Sequence, residues 1–218
     1  GAMTRSLKGQ LVPICAYVVM AVSLNLTVGI SGELSLGHAG FMSVGAFSGI
    51  VMAMWLSKGM GVANETLCLL LAILTGGAAA GIAGVVIGIP VLRLRGDYLA
   101  IVTLAFGEII RNVINCLYIS LDGQRLHIVF NNPNVAGKLL VNGPAGATGV
   151  NKMATFGMGF ALTLFTLFVV LNLIDSRSGR AIMAIRDNRI AAEAMGLDVT
   201  KYKMMAFVTS AVLAGMAG

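Results

Sequence analysis

The sequence predicts an all-α protein, a polytopic integral membrane helical bundle of about five to six membrane segments with one broken or re-entrant helix. Three observations indicate this class. Of the 218 residues, 57% are hydrophobic and 11% are charged, and the mean hydropathy is +0.90. Apolar runs of spanning length recur along the chain. The basic residues fall mainly between these runs, which fits membrane topology and gives no reason to expect nucleic acid as a partner.

Five apolar runs and the start of a sixth are long enough, or nearly so, to form membrane helices. They cover residues 11–29, 42–56, 67–89, 98–117, 154–174 and 204–218. We interpret residues 1–218 as a single transmembrane domain. The last run is short for a full span, so we expect the domain to be incomplete at its C-terminal end and the chain to be part of a longer protein.

Residues 31–41, SGELSLGHAGF, interrupt the apolar pattern between the first two runs. Unpaired backbone groups against lipid cost several kcal/mol each, so this stretch must form a tight turn or a broken helix buried in protein. Glu33, Gly37 and His38 within it, and Asn25 just before it, are candidates for the helix break or a path through the membrane. For His38 the alternatives are a hydrogen-bonded histidine at the break and a proton relay. Glu33 is expected to be a cap or a surface residue.

Glycines at helical spacing predict places where helices approach closely. One pair lies in the second run and a longer stripe lies in the third. These residues are Gly45 and Gly49, then Gly77, Gly81, Gly84 and Gly88.

Glu108 and Arg111 lie at positions i and i+3 of the fourth run, so they can pair on one helix face. One interpretation is an ion pair that holds two helices together. The other is a position near the transport path.

A catalytic function is not supported by any motif. The chain has no H-E-x-x-H, no G-x-S-x-G and no second histidine in an apolar run, which argues against an intramembrane hydrolase. The cysteines lie singly in apolar runs, so neither a metal site nor a disulfide is predicted. No G-x-x-x-x-G-K-[ST] loop is present, so nucleotide-driven work would need a partner subunit.

Charge between the runs predicts the orientation of the chain. Residues 175–203 hold six basic residues and should be cytoplasmic, which makes residues 121–152 an external loop of about thirty residues. Two full spans at the start would then place Arg5 and Lys8 outside, although basic flanking residues favour the cytoplasmic side. We expect a broken or re-entrant helix at residues 31–41 to reduce the number of crossings by one and so return Arg5 and Lys8 to the cytoplasmic side.

Residues 186–203, RDNRIAAEAMGLDVTKYK, are the charged exception in an apolar chain. Asp187 or Asn188 can cap a short helix over residues 189–195, with Gly196 as its terminator. Small side chains would leave this helix slim enough to enter a groove on another protein. A solvated linker is the alternative.

Three long segments together resemble one known family. They read SLNLTVGISGELSLGHAGFMSVGAF, LRLRGDYLAIVTLAFGEIIRNV and SRSGRAIMAIRDNRIAAEAMGLDVTKYKMMAFVTSAVLAGMAG. These are similar to the branched-chain amino acid ABC transporter permease family, of the LivM kind. Within the last segment, Ala191, Ala192 and Gly196 resemble the E-A-A-x-x-x-G coupling-loop signature of importer permeases. Ile190 stands where that signature has its glutamate, although Glu193 lies close by.

The resemblance implies a permease domain of an ABC importer, multi-pass in a bacterial-type cytoplasmic (inner) membrane. The implied partners are the lipid bilayer, a second permease subunit, two cytoplasmic ATPase subunits and a periplasmic substrate-binding protein at the external loop. ATP and Mg would bind those ATPases, and no cofactor is expected on this chain. The implied coupling residues are Arg186, Asp187, Ala191, Ala192, Glu193 and Gly196.

Other functions stay open. The substrates implied are leucine, isoleucine and valine, but related permeases take urea, short amides or other amino acids. A different class would be an ATP-independent secondary transporter or channel that uses Glu33, His38 or Glu108, since a broken helix is typical of such proteins. A third interpretation is a structural fragment that is inert without further helices.

Overall fold

The computed structural model describes residues 5–56, 64–94, 96–122, 125–130, 138–142, 146 and 154–218 as a helical bundle with a small sheet. The helices are α1 (Arg5–Asn25), α2 (His38–Met54), α3 (Glu65–Val91), α4 (Asp97–Asn115), α5 (Phe156–Asp175), α6 (Arg177–Asp187), α7 (Arg189–Ala194) and α8 (Val199–Ala217). A π-helical turn, Leu26–Ile30, extends α1. The strands are β1 (Leu117–Asp122), β2 (Arg125–Phe130) and β3 (Lys138–Asn142).

Four stretches of helix are long and apolar enough to cross a membrane. They are Gln10–Ile30, Thr66–Val91, Tyr98–Asn115 and Phe156–Asp175, and α2 is a shorter apolar helix. Each coincides closely with an apolar run of the sequence, because in lipid only a helix or a closed barrel satisfies every backbone polar group internally. The prediction of a polytopic membrane bundle with an interrupted helix is confirmed.

Helices α2, α3 and α8 pack closely at the centre of the bundle. A Cβ atom added at Gly45 would lie 2.1 Å from the carbonyl oxygen of Gly215, and one at Gly76 would lie 2.8 Å from that of Gly45. Backbone therefore contacts backbone here, as the glycine spacing predicts. The stripe on α3 faces α8 in the same way. A Cβ at any of its glycines would lie within 2.8 Å of a side chain of α8, from Met204, Ala211, Val212 or Met216.

Helix α1 runs parallel to α5. A Cβ at Gly159, near the start of α5, would lie 3.0 Å from Cys15, whereas Leu26 shares a core cluster with Val170 further along both helices. Since α5 leads from the sheet side into residues 175–203, α1 begins at the end of the bundle opposite that segment.

The expectation that Arg5 and Lys8 lie on the same side of the membrane as residues 175–203 is therefore wrong. Both residues lie in the part of α1 farthest from that segment. The positive-inside rule describes a bias in flanking charge. Despite this bias, α1 packs parallel to α5.

The segment between α1 and α2 is the predicted interruption. The chain turns at Gly32, which has a φ of +70°, and then continues without helix or strand to Gly37. Leu36 N donates to Thr103 Oγ1 at 3.1 Å, and a Cβ at Gly37 would lie 2.1 Å from the carbonyl oxygen of Thr103. Helix α2 consequently begins beside the middle of α4, inside the bundle. We call residues 31–37 the break.

The range interpreted as an external loop, residues 121–152, contains strands that the sequence analysis missed. β1 pairs antiparallel with both β2 and β3, in the order β2-β1-β3, with Leu117 opposite Phe130 and Tyr118 opposite Asn142. The strands are short, and the turn-forming Asn, Gly and Pro residues around them led to the prediction of a loop. Most of residues 131–152 lies outside the described residues.

Candidate functional site

Residues 177–198, which we call the α6–α7 segment, contain one more helix than predicted. Three side chains cap its helices α6 and α7 and the following helix α8 by accepting hydrogen bonds from backbone N–H groups, as capping residues do. The pairs are Ser176 with Gly179, Asn188 with Ala191 and Asp198 with Lys201, at 3.0–3.1 Å. Each helix of the segment thus starts at a defined residue.

Helix α7 is the predicted short helix. Of the two predicted caps, Asn188 is the one that accepts from the α7 backbone, and Asp187 instead pairs with Arg186 at 3.0 Å. Gly196 follows with a φ of +83°, a conformation that favours glycine and ends the helix. The predicted short helix is therefore present in the position expected from the sequence.

The two alanines of the coupling signature face in different directions. Ala192 is buried in a small core with Ile185 and Val199, so it holds α7 against its neighbours. Ala191 is exposed. The large apolar side chains that α7 presents outward are Ile190, 80% exposed, and Met195, 84% exposed.

Ala192, one of the implied coupling residues, is therefore buried, whereas the exposed Ile190 and Met195 were not among them. A short helix buries one side, and its amino-acid sequence alone does not determine which side that is. Glu193 is also exposed and is held by Arg189 on the same helix, Nε to Oε1 at 2.8 Å.

Arg186 joins the α6–α7 segment to the end of the first membrane helix. Its Nη1 donates to the carbonyl oxygen of Gly29 at 2.9 Å. Its aliphatic stem lies against Gly32, where a Cβ would come within 2.6 Å of Arg186 Cγ. The last turn of α6 therefore contacts the point where the break begins.

Lys203 and Glu33 make a second connection to the break. Lys203 Nζ donates to Glu33 Oε1 at 2.5 Å, and the two side chains are 16% and 8% exposed. The expectation that Glu33 is a cap or surface residue is wrong, because it is buried and ion-paired with α8. No local pattern shows this pair, since the residues are 170 positions apart.

Side chains alternate along the break as they do in extended chain. Ser31, Glu33 and Ser35 are buried, whereas Leu34 and Leu36 are exposed. Three buried oxygens, Ser31 Oγ, Glu33 Oε2 and Ser35 Oγ, have no hydrogen-bond partner within the described part of the chain. The break thus turns a polar face inward.

Hydrogen bonds continue this polar region into the bundle. His38 Nε2 and Ser23 Oγ are 2.8 Å apart, Thr27 Oγ1 donates to Ser210 Oγ at 2.8 Å, and Ser210 Oγ donates to the Ser23 carbonyl at 2.7 Å. His38 is therefore a hydrogen-bonded histidine at the break, the first of its two predicted alternatives. The network joins α1, α8 and the start of α2.

Glu108 and Arg111 form the ion pair that their spacing predicts. The distance from Arg111 Nη1 to Glu108 Oε2 is 3.5 Å, and the side chains are 71% and 56% exposed for Arg111 and Glu108. The pair lies within α4 and joins it to no second helix among the described residues, so the interpretation that it holds two helices together is wrong.

A cavity of about 360 Å³ lies between α2 and α4 and brings several candidates together. Gly37 of the break forms one end of its lining, Glu108 and Arg111 lie along it, and Asn115 is at the last turn of α4. Asn25 is exposed and does not line it. The break is thus bordered by the cavity and contacted by Arg186 and Lys203.

Within the described residues, no group of three or more His, Cys, Asp or Glu side chains could hold a metal ion. The described site is instead built from ion pairs, hydroxyl groups and apolar walls. A bundle of apolar spans with an interrupted helix and polar groups gathered at the interruption is typical of membrane transport proteins.

The chain belongs to the family described as "Branched-chain amino acid transport system / permease component", whose model matches residues 7–218. It is 33% identical to the high-affinity branched-chain amino acid transport system permease protein LivM of Salmonella typhimurium, over 236 aligned residues. Identity to the Escherichia coli protein of the same description is 32%. Both alignments cover 93% of this chain and 49% of the relative, so the chain spans about half the length of these relatives. No solved structure matches the chain significantly.

Proposed function

We propose that this chain is a permease component of an ABC importer for branched-chain amino acids in the bacterial inner membrane. The observation that carries the proposal is the physical continuity from α7 to the break. An exposed helix presents Ile190 and Met195 outward, and the break is contacted by Arg186 of the same segment and by Lys203 of the following helix α8. A movement imposed on α7 from outside the membrane therefore reaches the interrupted helix.

The partner on α7 is an ATPase subunit. Large exposed apolar side chains on a helix of small residues suit a groove on another protein, as in other helix-in-groove contacts. Two ATPase subunits, a second permease subunit and a periplasmic substrate-binding protein complete the importer. ATP and Mg²⁺ bind the ATPases, and this chain performs no covalent chemistry.

Coupling is a population shift between two arrangements of the subunits. Closure of the ATPases on ATP moves α7, and α6 moves with it because Ala192, Ile185 and Val199 share one core. Arg186 transmits this movement to the carbonyl of Gly29. The break then changes its position relative to α4, against which Gly37 is closely packed.

The test is ATP-dependent uptake by the complete importer. Full-length protein is reconstituted in liposomes with the second permease subunit and both ATPases, the binding protein is added outside, and uptake of radiolabelled leucine is measured. Uptake should require hydrolysable ATP in the lumen and should not change when a protonophore is added. Uptake that continues without ATP and stops with the protonophore would show an ATP-independent transporter and contradict the proposal.

A further inference from the structure

The ion pair on α4 lies where a lipid-facing charge is costly. Glu108 is the twelfth residue of a 19-residue helix, which puts it roughly 16 Å along the helix axis from Asp97. A charged side chain near the centre of a bilayer costs at least a few kcal/mol, and such residues normally face protein or a water-filled cavity. Glu108 and Arg111 both line the cavity between α2 and α4. Because they face the cavity, α4 can hold these two charged side chains near the centre of the membrane.

Both groups keep free capacity for a ligand. Their 3.5 Å ion pair uses one guanidinium nitrogen and one carboxylate oxygen, and most of each side chain is exposed. A guanidinium has five N–H donors and a carboxylate has about four acceptor positions. An ammonium group can therefore bind Glu108 while a carboxylate binds Arg111, in the bidentate geometry that arginine favours.

The rest of the cavity is chiefly apolar. Glu108 and Arg111 are the only charged side chains among its described lining residues, and Ser43 and Asn115 are polar. The larger apolar side chains of the lining are Leu36, Phe47, Leu104 and Ile114. The cavity volume of about 360 Å³ is within the usual range for small-molecule sites. Two adjacent opposite charges beside an aliphatic wall are complementary to a zwitterion with an apolar side chain.

The cavity is also placed for a ligand on its way through the membrane. It extends from Asn115, at the last turn of α4 beside the sheet, to Leu36 and Gly37 of the break. A ligand in it would lie against one end of the break, and Arg186 and Lys203 contact residues nearer its other end. Displacement of the break would change the inner end of the cavity.

We propose that the cavity between α2 and α4 binds a free aliphatic α-amino acid during transport, through Glu108 on its ammonium group and Arg111 on its carboxylate. This inference rests on the proposed function and assigns a substrate-binding role to residues of this chain. The aliphatic side chain lies against the apolar wall of the cavity, to which Leu36, Phe47, Leu104 and Ile114 contribute. The backbone near Gly37 closes the inner end of the site.

Photolabelling gives a direct test. The full-length permease complex, in detergent and without the binding protein, is irradiated with leucine that carries a diazirine in its side chain. Labelled peptides should come from α2 and α4, and excess leucine should suppress the label. Leucinamide, which lacks the carboxylate, and 4-methylpentanoate, which lacks the ammonium group, should suppress it far less. Label confined to other helices, or equal suppression by all three compounds, would overturn the proposal.

Variants separate this site from the wider function. Glu108→Gln and Arg111→Gln should each reduce labelling and the maximal uptake rate roughly tenfold to hundredfold, the range expected for a lost hydrogen bond to a charged group. Co-purification of the ATPases should be unchanged, which shows that the complex has assembled. Arg93→Gln removes an exposed positive charge outside the cavity and should leave both measurements unchanged.

Wild-type labelling and uptake in the two cavity variants would overturn the site while ATP-dependent uptake still supported the importer. Uptake that is independent of ATP in the wild type would instead contradict the proposed function.

Discussion

The ammonium group of Lys203, near the start of α8, lies 2.5 Å from a carboxylate oxygen of Glu33 in the middle of the break. This ion pair is mostly buried and connects the helix that follows the α6–α7 segment to the interruption of the membrane helices. Removing one partner of such a pair leaves a buried charge without compensation, which costs about 3–5 kcal/mol.

We expect Glu33→Gln and Lys203→Met to lower both thermal stability and coupling. Leucine taken up per ATP hydrolysed should fall roughly tenfold, a typical size for a coupling between two sites. Lys201→Met removes an exposed lysine two residues away and serves as the matched control. The double variant Glu33→Gln/Lys203→Met should regain thermal stability over either single variant but not coupling. Wild-type coupling in the double variant would show that the pair has only a structural role.

Ile190→Asp and Met195→Asp should weaken binding of the ATPase subunits. Each places a charge at an exposed apolar side chain, one on α7 and one directly after its end, so a contact with an apolar groove would lose affinity by roughly tenfold or more. Co-purification of the ATPases with the tagged permease measures the effect. Thr200→Asp changes an exposed position of α8 and should bind as wild type does. Equal binding by all three variants would count against α7 as the docking helix.

Ala192→Glu should behave differently from the two exposed variants. Its side chain would enter the core formed with Ile185 and Val199, where an unpaired charge is costly. Limited proteolysis of the purified protein should therefore cut the α6–α7 segment faster, even without ATPase subunits present. Proteolysis at the wild-type rate, together with lost ATPase binding, would show that position 192 contacts the partner directly.

Gly45→Ala should destabilise the bundle, by about 1–3 kcal/mol for an overpacked site. The new Cβ would lie 2.1 Å from the Gly215 carbonyl oxygen, which is backbone and cannot rotate away. Gly157→Ala, on α5, provides the control because nothing lies within 4 Å of its added Cβ. That variant should be as stable as wild type or more so, since alanine favours helix. Thermal unfolding in detergent compares the two, and equal loss in both would contradict the packing described.

Gly196→Ala should destabilise the C-terminal end of α7 through backbone strain and not through a steric clash. Nothing lies within 4 Å of an added Cβ, but a φ of +83° is strained for a side chain by roughly 1–2 kcal/mol. Gly196→Asn should be tolerated better, because asparagine adopts this conformation more readily than alanine. Hydrogen exchange of the α7 amides would detect the difference. If the two variants exchange alike, the conformation of Gly196 does not control the helix end.

Local patterns in the sequence predicted the features that depend on residues close together along the chain. Apolar length gave the spanning helices, Asn188 and Gly196 gave the ends of α7, and the spacing of Glu108 and Arg111 gave their ion pair. Contacts between distant residues were missed, as with Glu33 and Lys203.

The buried side of the short helix α7 could not be predicted for a related reason. Ala191 and Ala192 are the same residue type, but contacts with other elements bury only Ala192. The direction of α1 was mispredicted because flanking charge and helix packing oppose each other there.

That opposition has a consequence for membrane insertion. The basic residues Arg5 and Lys8 favour retention of their end of α1 on the cytoplasmic side, whereas contacts with α5 near Gly159 and Val170 hold α1 in the opposite direction. The direction of α1 in the bundle is therefore matched by a contact partner that is synthesised only after α2, α3 and α4.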